Sequence, residues 1–196
     1  GYQMAKNIQY HGKIRLNFQQ VFDILKQKDT RMDYTIDSQR KNYFKSRTEA
    51  ELKFHNKIAS SYKNNIQKFY RYVNAKFKNT LPNNFWSKFN IERDSARVQV
   101  MCHKPGTVSI PHVDKYNSFL IDEKQTSNTA KRKKVKRIWI TLTEPKMGHA
   151  LFVGKEVAYN LPKGTALEFD HNQVHSGGNI GYEDRYVMTI TGWTNG

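Results

Sequence analysis

The sequence predicts an α+β chain, helical through residue 94 and mostly β beyond it. The strands are expected to close into an antiparallel sandwich or barrel, with jelly rolls among the options. Three observations predict this. Apolar residues recur every three or four positions between 48 and 77, the helical period. Short segments of alternating character, separated by Gly, Pro and Asn, fill residues 96 to 193. With 196 residues, 37% of them hydrophobic and 26% charged, the chain can bury one core of ordinary size.

The elements follow in order. Asn17 is placed to cap a short helix that carries Phe18, Val21, Phe22 and Leu25 on one side. Thr48-Glu49-Ala50-Glu51 fits a capping box. After it Leu52, Ile58, Ala59, Tyr62, Ile66, Phe69, Tyr70, Val73 and Phe77 predict one apolar face of a long helix, ended by Asn79 and Pro82. These aromatics keep the helical period, so they read as core rather than as base-stacking platforms. Strands are expected at Ala96–Met101, Lys136–Leu142, Ala150–Val153, Glu156–Tyr159, Ala166–Phe169 and Arg185–Trp193. Gly177-Gly178-Asn179-Ile180-Gly181 reads as a tight reversal. Residues 117–135, poor in large apolar side chains and ending in Lys131-Arg132-Lys133-Lys134, read as a basic inserted loop. The expected organisation is therefore a helical region over 1–94 packing on a β core over 95–196.

Charge and chemistry are partly segregated. The net charge is +16, and residues 1–94 hold 19 basic and 8 acidic residues against 14 and 9 in the rest. Five of the seven histidines lie in the second half. Such an excess favours an acidic partner, with nucleic acid a minority reading on charge alone. One cysteine, Cys102, excludes an internal disulfide and a cysteine-rich zinc site, and points to a reducing, cytoplasmic location. No apolar run approaches the roughly 18 residues of a membrane span, so no membrane partner is expected.

The informative feature is His112-Val113-Asp114. In an extended segment, residues i and i+2 point the same way, so both side chains can grip one metal ion. His175 is the best candidate for a third ligand, with His171 its rival. Two histidines and one carboxylate on one octahedral face leave three positions open, the arrangement of non-haem Fe(II) oxygenases. A closed zinc site would use four protein ligands. Arg185, ten residues after His175, opens the last strand and could take a carboxylate bidentately. Its bland alternative is a surface pair with Glu183 or Asp184. His11, His55, His103 and His149 have no partner pattern and read as surface or packing residues.

At these residues the chain resembles the 2-oxoglutarate/Fe(II) dioxygenases, and within them the aspartyl/asparaginyl β-hydroxylase-like group. Pro105-Gly106-Thr107 followed by Pro111-His112 is similar to the group's block before the first iron histidine, with Asn117 five residues after it. Arg137-Ile138-Trp139-Ile140-Thr141-Leu142 resembles the strand that follows. Gly164, Phe169-Asp170, His175, Asn179, Arg185 and Trp193 resemble the closing block. The match covers about residues 96–194. It implies a double-stranded β-helix flanked by helices, with His112, Asp114 and His175 on iron and Arg185 on the distal carboxylate of 2-oxoglutarate. It places Arg137, Trp139, Asn117 and Met101 near cosubstrate or substrate.

The chain departs from the group at Asp114, where vertebrate-type members have Gly, so it keeps the fuller triad of the superfamily. Trp139 stands for a second pocket histidine, and Met101 for a cosubstrate-contacting Ser. The implied cofactors are Fe(II), 2-oxoglutarate and O₂. The implied reaction is hydroxylation of an unactivated C–H bond, aspartyl/asparaginyl or prolyl hydroxylase-like, coupled to decarboxylation of 2-oxoglutarate to succinate. The substrate would be a peptide, a protein or a small amino-acid-like molecule, acidic ones included. The alternatives are a nucleic-acid demethylase and a polyanion-binding barrel without catalysis. Demethylases of the AlkB kind carry a second Arg six residues after the cosubstrate Arg, where this chain has Thr191.

Overall fold

The computed structural model describes residues 7–34, 48–50, 52–53, 69–109, 111–114, 116, 119 and 134–195. Eleven strands among them form two antiparallel sheets. They are β1 (Gln9–Lys13), β2 (Arg31–Tyr34), β3 (Phe69–Val73), β4 (Arg97–His103), β5 (Thr107–Val108), β6 (Val135–Thr141), β7 (His149–Val153), β8 (Glu156–Tyr159), β9 (Thr165–Glu168), β10 (His175–Asn179) and β11 (Arg185–Trp193). The larger sheet runs β1-β9-β6-β11-β4-β3-β2, and the smaller runs β5-β10-β7-β8. Two facing antiparallel sheets with these crossovers make a double-stranded β-helix, or jelly roll.

The first helix forms as its cap predicts. α1 (Phe18–Leu25) begins with the Asn17 side chain accepting from the Gln20 N–H at 3.0 Å. Val21 and Ile24 are fully buried from it, with Phe18, Phe22 and Leu25 packed beside them. A 3-10 helix (Ala75–Thr80) and α2 (Phe85–Phe89) complete this layer. Together they cover the outer face of the large sheet, where Val98, Val100, Ile138, Ile140, Met188 and Ile190 point. The opposite face of β11, through Val187, meets Leu151 and Val153 of the small sheet. Alternation along β11 thus divides Met188 and Ile190 from Arg185, Val187, Thr189 and Thr191.

The expected long helix is corrected. Glu49, Ala50, Leu52 and Lys53 are helical, and the Leu52 N–H donates to Thr48 O at 2.9 Å. Residues 54–68 lie outside the described residues. Phe69–Val73, however, is strand, pairing Tyr70 with Tyr34 on one side and with Cys102 on the other. Phe-Tyr-Arg-Tyr-Val is rich in strand formers, and a place between two partner strands overrides its helical spacing. Residues of the first half therefore supply β1, β2 and β3 to the large sheet.

The expected reversal over 177–181 is corrected too. Gly177, Gly178 and Asn179 belong to β10 and are buried, paired with Leu151, Ala150 and His149. The chain turns after Asn179, whose side-chain Oδ1 accepts from the Gly181 N–H at 3.0 Å. Glycine is required at Gly181 for close approach. A Cβ on Gly181 would lie 1.8 Å from Met147 O, and one on Gly177 would lie 3.1 Å from Arg185 Nη1. No described helix is long and apolar enough to cross a membrane.

Candidate metal centre

His112 and His175 are joined before any metal is considered. They form an isolated antiparallel bridge, with N–H···O distances of 3.0 and 2.9 Å in the two directions. Two residues on, the Asp114 N–H donates to His171 O at 2.9 Å, keeping this segment extended. The two side chains therefore turn to the same side, where His175 opens β10. Asp114 Oδ1 lies 3.6 Å from His112 Nε2 and 3.5 Å from His175 Nε2. One donor atom from each of the three residues falls within 4.8 Å of the others.

The chemistry of these donors fits a cation. The His175 ring is almost fully buried, and its Nδ1 lies 3.0 Å from Gln173 O. A carbonyl oxygen only accepts, so Nδ1 carries the proton and Nε2 presents its lone pair. Nε2 is buried and makes no hydrogen bond. A buried lone pair facing a carboxylate oxygen at 3.5 Å is unfavourable unless a cation lies between them. A divalent metal satisfies both groups.

Asp114 is held on its other side. Its Oδ2 accepts from Arg137 Nη1 at 3.0 Å. Arg137 Nε in turn donates to Thr191 Oγ1 at 2.7 Å, and the guanidinium lies 4.8 Å over the Tyr116 ring. Burial alone would raise the Asp114 pKa. The Arg137 guanidinium overcomes it and holds the carboxyl well below the usual carboxylate range.

Arg185 is the second charged feature. It opens β11 opposite His103 and is wholly buried, which lowers its pKa to about 10. The surface alternative is excluded, because Asp184 pairs with Lys104 and Glu183 with Lys146. Among the described residues no carboxylate pairs with Arg185. Its Nη1 instead donates to His103 Nδ1 at 3.1 Å. His103 is 3% exposed and stacks on Phe69 at 5.2 Å, so of its two expected roles it takes packing, and it partners Arg185 besides. Burial, then the charge of Arg185, lowers its pKa to about 3. Its position opposite Arg185 on β4 was invisible without the register of the sheet.

The remaining candidates divide. Trp139 is buried, its ring edge-on to His175 at 5.9 Å and stacked on Phe169 at 5.5 Å. Phe169 lies 4.7 Å from His175. Met101, opposite Val187, packs into the cluster between the sheets. His171 is half-exposed and outside the His-Asp-His cluster. Asn117 lies outside the described residues, as does the basic loop except for Phe119, Lys134 and Val135. Between the sheets a small pocket is lined by Trp139, Thr141, Leu151, Leu167, Arg185 and Val187. A separate polar cleft is lined by Tyr116, Arg137, Glu168, Phe169 and His171.

No family model matches the chain, and no curated protein matches it. Solved structures do match. One is the viral collagen prolyl hydroxylase of Paramecium bursaria chlorella virus 1, in a complex with 2-oxoglutarate, at 12% identity and a TM-score of 0.44 over all of both chains. Another is a cupin-2 domain protein of Rhodospirillum rubrum, at 10% identity and a TM-score of 0.40, over 66% of this chain and 63% of that one. A predicted oxalate decarboxylase of Thermotoga maritima matches at 11% identity and a TM-score of 0.38, over 64% and 81%. Likeness of this degree speaks to neither reaction nor ligand.

Proposed function

We propose that this chain is an Fe(II)- and 2-oxoglutarate-dependent oxygenase. Its reaction would hydroxylate an unactivated C–H bond of an amino-acid side chain, in the manner of aspartyl/asparaginyl or prolyl hydroxylases. One juxtaposition supports this reading above the rest. His175, with its buried and unbonded Nε2, and Gly177, against which the Arg185 guanidinium lies with no carboxylate partner among the described residues, share one face of β10. Two residues of strand separate them by about 6.6 Å. A cation site and an anion site on one face of the same strand suit a short dicarboxylate that chelates metal at one end.

His112, Asp114 and His175 would hold the iron. When bound, the metal and 2-oxoglutarate supply the oxidation, consuming O₂ and releasing succinate and CO₂. The rest is the work of the chain. Arg185 gains the counter-charge that its burial lacks, because a ligand carboxylate can accept two of its N–H groups. His103 occupies one Nη1 donor and aims the remainder. Trp139 and Phe169 wall His175 with apolar surface, which keeps water from the reacting centre. The polar cleft beyond Arg137 is where a peptide or amino-acid-like substrate would approach.

The test is turnover. Iron-loaded protein should convert 2-oxoglutarate to succinate, faster with the matching member of a panel of Asp-, Asn- and Pro-containing peptides, and H175A should not. Succinate formation no greater than that of H175A with every peptide would overturn the reading. The net charge of +16 favours nucleic acid as a second reading. It predicts binding that weakens steeply as salt rises.

A further inference from the structure

We propose that Arg137 is the positioning residue of the metal carboxylate, restricting Asp114 to one donor oxygen. The inference rests on the metal-centre reading above. The resemblance places Arg137 by the cosubstrate or substrate, yet its guanidinium is engaged on three sides within the protein.

The two oxygens of Asp114 have divided tasks. Oδ1 faces both histidines, at 3.6 and 3.5 Å, while Oδ2 takes the Arg137 N–H at 3.0 Å. A carboxylate free to rotate could offer both oxygens to a metal and fill two coordination positions. Tying Oδ2 prevents this and leaves three positions for ligands, the number a bidentate cosubstrate and O₂ require.

The tie is built from rigid elements. Asp114 sits in a segment without regular strand pairing beyond His112. Arg137 sits on β6 directly opposite Thr191 of β11, two central strands of the large sheet. Thr191 Oγ1 fixes its Nε at 2.7 Å. Tyr116 covers the guanidinium at 4.8 Å, with its backbone at φ +55°, a conformation bulky side chains rarely adopt. Such a residue persists only where its surroundings hold it. The orientation of a loop-borne ligand is thus borrowed from the sheet, and Thr191 serves that purpose.

The experiment is a titration of the apoprotein with Mn(II), following free ion by its electron paramagnetic resonance signal, for wild type, R137M, R137K and H112A. R137M should bind Mn(II) roughly 10- to 100-fold more weakly. R137K, which keeps charge but not the fork, should lie between R137M and wild type. The visible spectrum of the Co(II) form should change in R137M, a readout that a merely structural role would leave alone. Should R137M fail to fold by circular dichroism, R137K carries the test. Wild-type Mn(II) affinity in the folded Arg137 variants, with H112A unable to bind, would overturn the proposal and leave the metal centre standing. Wild-type affinity in H112A would overturn the metal-centre reading itself.

Discussion

Replacing Gly177 with alanine should separate ligand binding from folding. A Cβ at this position meets Arg185 Nη1 at 3.1 Å, Nη2 at 3.6 Å and Cζ at 3.7 Å. Ordinary contact begins near 3.4 Å, so the guanidinium must yield by a few tenths of an ångström. The backbone does not resist, since Gly177 has no positive φ, and alanine in a strand interior gains roughly 0.5–1 kcal/mol over glycine. Stability should therefore stay within about 1 kcal/mol of wild type. A displaced charge-assisted hydrogen bond costs about 1.5–3 kcal/mol, which weakens 2-oxoglutarate binding by roughly tenfold to a hundredfold. Mn(II) affinity should be unchanged, because His112, Asp114 and His175 are untouched. Thermal unfolding, Mn(II) titration and equilibrium binding of 2-oxoglutarate to the Mn(II) form together provide the assay. If folded G177A binds 2-oxoglutarate as wild type does, Arg185 is not the anchor and the reasoning fails.

Two further predictions concern the same corner. R185M removes a buried charge that has no carboxylate partner among the described residues, so the apoprotein should unfold at or above the wild-type temperature while 2-oxoglutarate binding is lost. A sharp fall in Tm would contradict this. His103 has a folded pKa of about 3, below its unfolded value near 6.5. Between these values the unfolded chain binds a proton that the folded chain refuses. Stability should thus be fully present above pH 6.5 and fall as pH drops, by about 1.4 kcal/mol per unit. H103Q keeps an acceptor for Arg185 and cannot titrate, so denaturant unfolding at pH 4 to 7 should show a shallower slope. An unchanged slope would count against the buried, neutral His103.

Local patterns in the sequence carried much of this structure. Asn17 caps α1, and the strands around residues 98, 138 and 190 keep their period-two alternation because one face meets the helices and the other the second sheet, while the strand around 158 turns Ala158 inward and Val157 and Tyr159 to solvent. His112 and Asp114 were legible for the same reason, since spacing of two in extended chain sets a common direction. What failed was decided by partners distant in sequence. Phe69–Val73 carries a helical spacing but is drawn into strand between β2 and β4. Gly177 and Gly178 look like a turn, yet they belong to a strand because Leu151, Ala150 and Val108 pair with them. His103 gained its role only when β4 and β11 paired in register.

The central claim is a metal site that chelates 2-oxoglutarate. It is tested most directly by titrating the anaerobic apoprotein with Fe(II) and 2-oxoglutarate and following the visible metal-to-ligand charge-transfer band. The account predicts a saturable band in wild type that is absent in H112A. A folded, iron-loaded wild-type sample with no band would contradict it.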